Sequence, residues 1–360
     1  MGDGPTLRTL AKLAGVSKTT VSLCLRDHPR IRPELRLRVQ RLAAETGYRP
    51  NALMANLLAQ LRSSRTSAYQ STLALLCAAR DPTELDTVPT FRAWIAGCRA
   101  RATEQGYGFD QLWLYEPGIS PERLAAILDA RNIRGVAVVG FYEGEAIPRQ
   151  FDPIWQRSAA VAIGTRPVWP TIHFVSNDQY VTVFRAVREA VSLGYRRLGL
   201  CLASHIDNIV ENKFTGGFHA AQCRLGLAQE VPVFDLQPGT KKLFGVWLER
   251  HRPEVILTIH REVKEWVESL GYDVPGEIAL VQLDKSSETS EWAGMQQNSE
   301  LIGRSAIDMV IGQIHRNESG LPPIQKSMLI ESTWSPGTTV GNRLPPAAPT
   351  TKKTRSRRVA

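Results

Sequence analysis

Residues 13 to 25 read Leu-Ala-Gly-Val-Ser-Lys-Thr-Thr-Val-Ser-Leu-Cys-Leu, a polar block wedged between apolar patches. Ser17, Lys18, Thr19, Thr20 and Ser22 bring hydroxyls and one ammonium, with no carboxylate or imidazole among them. Such a set can hydrogen-bond base edges and phosphates, but it holds no acid–base pair for a chemical step. Other catalytic candidates are few. His219 and Cys223 stand four residues apart, a spacing that puts both on one helical face, yet no second pair completes a zinc site. No GxxxxGK[ST], GxSxG or HExxH occurs, and the glycine pair at 216–217 is too short for a phosphate-cradling loop. The expectation is a binding protein that is not an enzyme and that uses no cofactor or metal.

Helical spacing surrounds the polar block. Leu7, Leu10, Ala11 and Ala14 recur at three-four intervals, with Thr6 placed as N-cap and Gly15 where the helix should stop. A second helix starts at Ser17, whose hydroxyl can cap the free N–H groups of the first turn while Val21, Cys24 and Leu25 face inward. A third follows from Pro33, with Leu35, Val39 and Leu42 as its stripe and Gly47 as its end. Two short helices joined by a glycine turn make a helix-turn-helix, which lays its second helix in the DNA major groove. Lys18, Thr19 and Ser22 would then face the bases or phosphates, with Val21 anchoring from behind.

Charge supports a polyanion partner. Residues 1–66 hold 12 Lys and Arg against 4 Asp and Glu, and residues 343–360 hold 6 basic residues and no acid. The chain as a whole carries +9, so the stretch between is mildly acidic and only the ends are basic. With 360 residues there is room for two or three compact units. Five cysteines without CxxC spacing read as buried thiols. The longest apolar runs fall short of the roughly 18 residues a membrane span needs, and the N-terminus lacks a signal-peptide pattern. A cytoplasmic protein without a membrane partner is expected.

The runs TLRTLAKLAGVSKTTVSLCL and RPELRLRVQRLAAETGYRPNAL, with the motifs A-G-V-S-x-x-T-V-S and G-Y-x-P-N, resemble the head of the LacI (lactose repressor) family of bacterial transcription regulators. The resemblance implies a homodimer on palindromic double-stranded operator DNA. It also implies a two-lobed, periplasmic-binding-protein-like sensor for a sugar-like small-molecule effector. Lys18 and Thr19 occupy the base-reading positions, whereas the arginine frequent after the second serine is Leu23, which can touch a thymine methyl but cannot grip guanine. Arg26 and Arg30 are expected on phosphates. After Asn51 the family forms a hinge helix whose leucine, here Leu57, wedges into the minor groove. Met54 and Ala55 depart from that pattern, so Leu53, Leu57, Leu58 and Leu61 read equally as an interdomain or dimer-packing stripe.

The body is read as α/β. Apolar runs within 71–283, among them GVAVVGF and RLGLCLA, alternate with helical patterns, the signature of parallel sheets whose ligands lie at the strands' carboxyl ends. The expected layout is a helix-turn-helix domain at 1–49, a hinge at 50–70, an effector domain at 71–341 and a basic disordered tail at 342–360. Within the body, lobe one should take about 71–164 and 292–324, and lobe two 165–291 and 325–341. Effector candidates are Phe91, Lys213, His260 and Asp284. The family's arginine position falls on Phe214 if Gly217 is the matching glycine, or on Lys213 if Gly216 is. A solute-binding sensor without a regulatory role is the competing reading; the basic head argues against it.

Overall fold

The computed structural model describes residues 7–25, 31–46, 71–141, 146–227 and 231–344. Three helices form the head: α1 (Leu7–Ala14), α2 (Lys18–Leu25) and α3 (Pro33–Thr46). Gly15 ends α1 with a φ of 67°, a left-handed conformation that costs glycine little. The turn it makes lets α2 cross α1. Leu10, Val21, Cys24 and Val39 are fully buried between the helices, with Ala11, Ala14 and Ala43 beside them. This small core follows directly from the apolar spacing. The Gln40 side chain ties α3 to the end of α2 by donating to the Cys24 carbonyl at 3.4 Å.

Lobe one is a sheet of six parallel strands in the order β11-β5-β4-β3-β1-β2. Its strands are β1 (Thr72–Cys77), β2 (Gly108–Trp113), β3 (Gly135–Val139), β4 (Ala159–Ile163), β5 (His173–Asn177) and β11 (Ser327–Ile330). Its helices are α4 (Glu84–Thr87), α5 (Pro89–Glu104), α6 (Pro121–Ala130), α7 (Asp152–Arg157) and α13 (Ser299–Arg316). Alternate residues of each strand serve opposite faces. Leu73 and Leu75 pack with Trp94, Ile302 and Val310 on the α5 and α13 side, while Ala74 and Leu76 pack with Leu124, Leu128 and Trp155 on the other. Burial on both faces explains why β1, β3 and β4 read as unbroken apolar runs.

Lobe two repeats this plan in the order β12-β10-β9-β8-β6-β7, parallel except for the antiparallel β12. The strands are β6 (Leu198–Leu202), β7 (Phe234–Asp235), β8 (Val255–Thr258), β9 (Ala279–Gln282), β10 (Ala293–Gln296) and β12 (Thr333–Ser335). The helices are α8 (Gln179–Ser192), α9 (Ser204–Ile209), α10 (Lys213–Arg224), α11 (Lys241–His251) and α12 (Glu262–Ser269). Val187, Phe214 and Phe218 cover one face, and Phe244, Trp247 and Val267 the other.

Four expected boundaries require correction. The chain leaves lobe one at Asn177, returns at Asn298 and leaves again after Ile330, not near residues 165, 292 and 325. The reason is strand pairing: β5 and β11 extend the first sheet, and β10 pairs with β9 in the second. The start of the expected disordered tail is also docked. The Arg343 backbone N–H donates to the Leu193 carbonyl at 2.8 Å, its guanidinium donates to the Gly276 and Glu277 carbonyls, and it lies 4.9 Å over the Tyr195 ring. Residues 342–344 therefore belong to lobe two; residues 345–360 lie outside the described residues.

Candidate DNA-reading head and effector faces

In the head, Ser17 does what its place before α2 suggests. Its Oγ accepts the Thr20 backbone N–H at 3.0 Å and lies 2.8 Å from the Thr20 hydroxyl, which caps the first turn. Lys18 is exposed beside it, and Leu23 is half-buried outside the head's core cluster. Thr19 and Ser22 lie on the same helix. Ser17 and Lys18 thus form the exposed amino-terminal end of a helix anchored by Val21 and Cys24, placed to present hydrogen-bonding groups to a groove. Thr6, Arg26, Arg30, Asn51 and Leu57 lie outside the described residues.

In lobe two, His260 follows β8 and Asp284 follows β9, so adjacent parallel strands bring them to the same carboxyl edge. The His260 Nε2 accepts the Ala203 backbone N–H at 3.0 Å. The Asp284 backbone N–H donates to the Gln282 side chain at 3.3 Å. Lys213 begins α10 and pairs with Glu211 at 2.7 Å. Gly217 is where α10 approaches α8: a Cβ there would meet the Tyr180 carbonyl at 2.5 Å, whereas one on Gly216 would meet nothing within 4 Å. Gly217 is therefore the packing glycine, and the position three residues before it is Phe214, 3 % exposed in the core. No arginine reaches this edge from α10.

Sequence reasoning overlooked a polar cluster on the same edge. The Asp235 carboxylate accepts the Ser204 backbone N–H at 2.8 Å and the Gln237 amide at 3.0 Å. Burial alone would raise its pKa, but these hydrogen bonds outweigh burial and hold the carboxyl below its ordinary range. Nothing in the spacing of these residues links them; β6 and β7 pairing does.

Lobe one places Phe91 half-buried near the start of α5, its ring 5.3 Å from Trp94. Gly164, with a φ of 91° just past β4, leaves room for the Trp94 ring, which a Cβ there would strike. Among the described residues, neither the buried Trp94 indole N–H nor the buried Thr165 hydroxyl has a hydrogen-bond partner. Both were missed by sequence reasoning; the aromatic-x-x-aromatic spacing of Phe91 and Trp94 was the available signal. Unpaired buried polar atoms cost stability, so their placement at a strand's carboxyl end suits a ligand or water.

Residues 6–51 match the family described as "Bacterial regulatory proteins, lacI family". The regulator CelR of Thermobifida fusca is 24 % identical over 329 residues, covering 86 % of this chain and 92 % of that protein. The head at residues 6–51 thus carries the LacI-family signature. AglR of Rhizobium meliloti (strain 1021) is 36 % identical over 207 residues, 54 % of this chain and 51 % of that protein. The CelR–cellobiose complex superposes with a TM-score of 0.59 at 19 % identity, covering 93 % of this chain and 99 % of that one. The Lac repressor dimer bound to operator and the anti-inducer ONPF superposes at 0.56 with 17 % identity, covering 94 % and 100 %. This chain is a DNA-binding transcription regulator with a LacI-type helix-turn-helix head and two α/β lobes. Among its described residues no helix is long and apolar enough to cross a membrane, and no cluster of three metal-ligating side chains occurs.

Proposed function

We propose that the chain is a cytoplasmic, homodimeric repressor that reads a palindromic operator and responds to a sugar or related small metabolite. The observation that carries the DNA reading is the Ser17-capped α2, which exposes Lys18 at a helix start within the family-matched residues. In this reading residues 1–49 are the DNA-binding domain. Lys18, Thr19, Ser22 and Leu23 face bases, Thr6, Ser17 and Thr20 support them, and Arg26 and Arg30 neutralise phosphates. Residues 50–70, with Asn51 and Leu57, link the head to the effector domain.

The effector reading is supported by the cellobiose named in the CelR complex and by the hydrogen-bonding groups at the strand ends of each lobe. Phe91, His260, Asp284 and Lys213 remain its candidate residues, joined by Trp94 and Thr165. The loss of an arginine to Phe214 argues for an effector that does not need a guanidinium.

Selection of duplexes from a random pool at about physiological salt, where nonspecific binding is suppressed, tests the operator reading. Enrichment of a two-fold symmetric site is expected. Recovery of sequences without symmetry would refute the dimeric reading. A sugar panel scored by thermal shift tests the effector, and stabilisation by a neutral saccharide is the expected outcome.

A further inference from the structure

The His260 ring is engaged by the protein itself. Its Nε2 accepts the Ala203 backbone N–H at 3.0 Å, and the residue's own N–H donates to the Thr258 hydroxyl at 3.0 Å. Acceptance at Nε2 places the ring proton on Nδ1, 3.7 Å from the Glu262 carboxylate, in a side chain only 16 % exposed. Ala203 is the residue at which β6 turns into α9. One helical turn on, the buried Asp207 carboxylate accepts the Phe214 and Thr215 N–H groups and so caps α10. A single imidazole nitrogen therefore holds the root of the loop that sets α9, Ser204 and the cap of α10.

We propose that His260 is a positioning residue of the second lobe's effector face: its neutral ring latches the β6–α9 turn, and protonation at Nε2 releases that turn. The effector consequence rests on the function proposed above; the latch does not.

Protonation turns Nε2 from acceptor to donor, so two N–H groups would face each other and the bond to Ala203 would be lost. Glu262 on α12 favours the charged ring, and His205 on α9 opposes it. His205 in turn helps hold the Asp235 carboxyl on β7 low, and Arg261 is held by Glu288. Burial is the largest influence and pushes His260 below its ordinary 6.5. With the folded value depressed, the latch is fully made above pH 6.5 and is lost as pH falls through the folded value. Below that value each further pH unit weakens it about tenfold.

Amide hydrogen exchange of the full chain without effector, at pH 7.5 and at one pH unit below the His260 ring midpoint found by NMR, corrected for intrinsic rates, reads the latch directly. Peptides spanning 200–212 should lose about tenfold protection at the lower pH, while those from β8 and β9 hold. His260→Gln supplies an acceptor that does not titrate and should show equal protection at both pH values. Equal protection in the unmodified chain, or an equal acid loss in His260→Gln, overturns the proposal. Should the variant not fold, NMR of the unmodified chain decides: the Ala203 amide shift must titrate with the same midpoint as the His260 ring, and different midpoints overturn it. A chain that binds no sugar would leave all these readings unchanged and would refute only the effector function.

Discussion

Ser17 opens the reading helix with one hydroxyl, so its removal acts on that helix's first turn. Ser17→Ala should cost the first turn of α2 about 1 kcal/mol, visible as about fivefold faster exchange of the Thr20 amide. Leu23 is half-buried but outside the head's core. Leu23→Ala should leave the head folded and weaken discrimination at one operator base pair by about 1 kcal/mol, the scale of a lost methyl contact. A guanine requirement abolished by that substitution would contradict the thymine-methyl reading. The cysteines divide by burial: Cys24, Cys77, Cys98 and Cys201 are buried and Cys223 is exposed. Burial also pushes the Cys98 and Cys201 thiols far up, away from the reactive thiolate. Native protein at pH 8 should therefore titrate one thiol with a maleimide, and unfolded protein all five.

At the scale of elements, helix packing is set where side chains are absent. The α8–α10 contact depends on Gly217, and Gly217→Ala should destabilise lobe two by roughly 1–3 kcal/mol through overpacking. Gly216, next to it, meets open space. Gly216→Ala should instead stabilise α10 by about 0.5–1 kcal/mol. The two variants, compared by denaturant midpoints, separate close approach from helix propensity. Equal effects would mean that α10 does not sit on Gly217. The same logic holds in lobe one, where a Cβ on Gly97 would collide with the Glu300 carbonyl and one on Gly303 with the Trp94 carbonyl. Helices α1, α2, α3, α6 and α8 were legible because their apolar residues recur at helical spacing. Ser120 and Asp178 cap α6 and α8 by accepting the Arg123 and Val181 N–H groups, as such residues do before an apolar stripe.

For the whole molecule, the charge distribution makes a separable prediction. Removing residues 1–66 deletes a balance of +8 and the entire described head. The remaining chain should lose specific operator binding, measured by fluorescence anisotropy, while the lobes keep their thermal transition. Persistence of the same affinity would assign DNA binding to the body. The sequence by itself determined that a capped, basic helix-turn-helix precedes an α/β body, because helix spacing, end signals and charge are local. The tertiary structure alone decided where the lobes divide. His173, Ser176 and Asn177 make β5 look too polar for a buried strand, yet all three are buried. The His173 ring accepts the Lys326 N–H, Ser176 donates to the Gly164 carbonyl and Asn177 donates to the Ile330 carbonyl. Those partners lie 12 to 153 residues away in sequence, so only folding could show that the polar groups were satisfied and the segment belonged in the first sheet. The fate of His260 was hidden for the same reason: its type suggested a ligand, but the amide that claims its nitrogen sits just past the end of β6, 57 residues earlier.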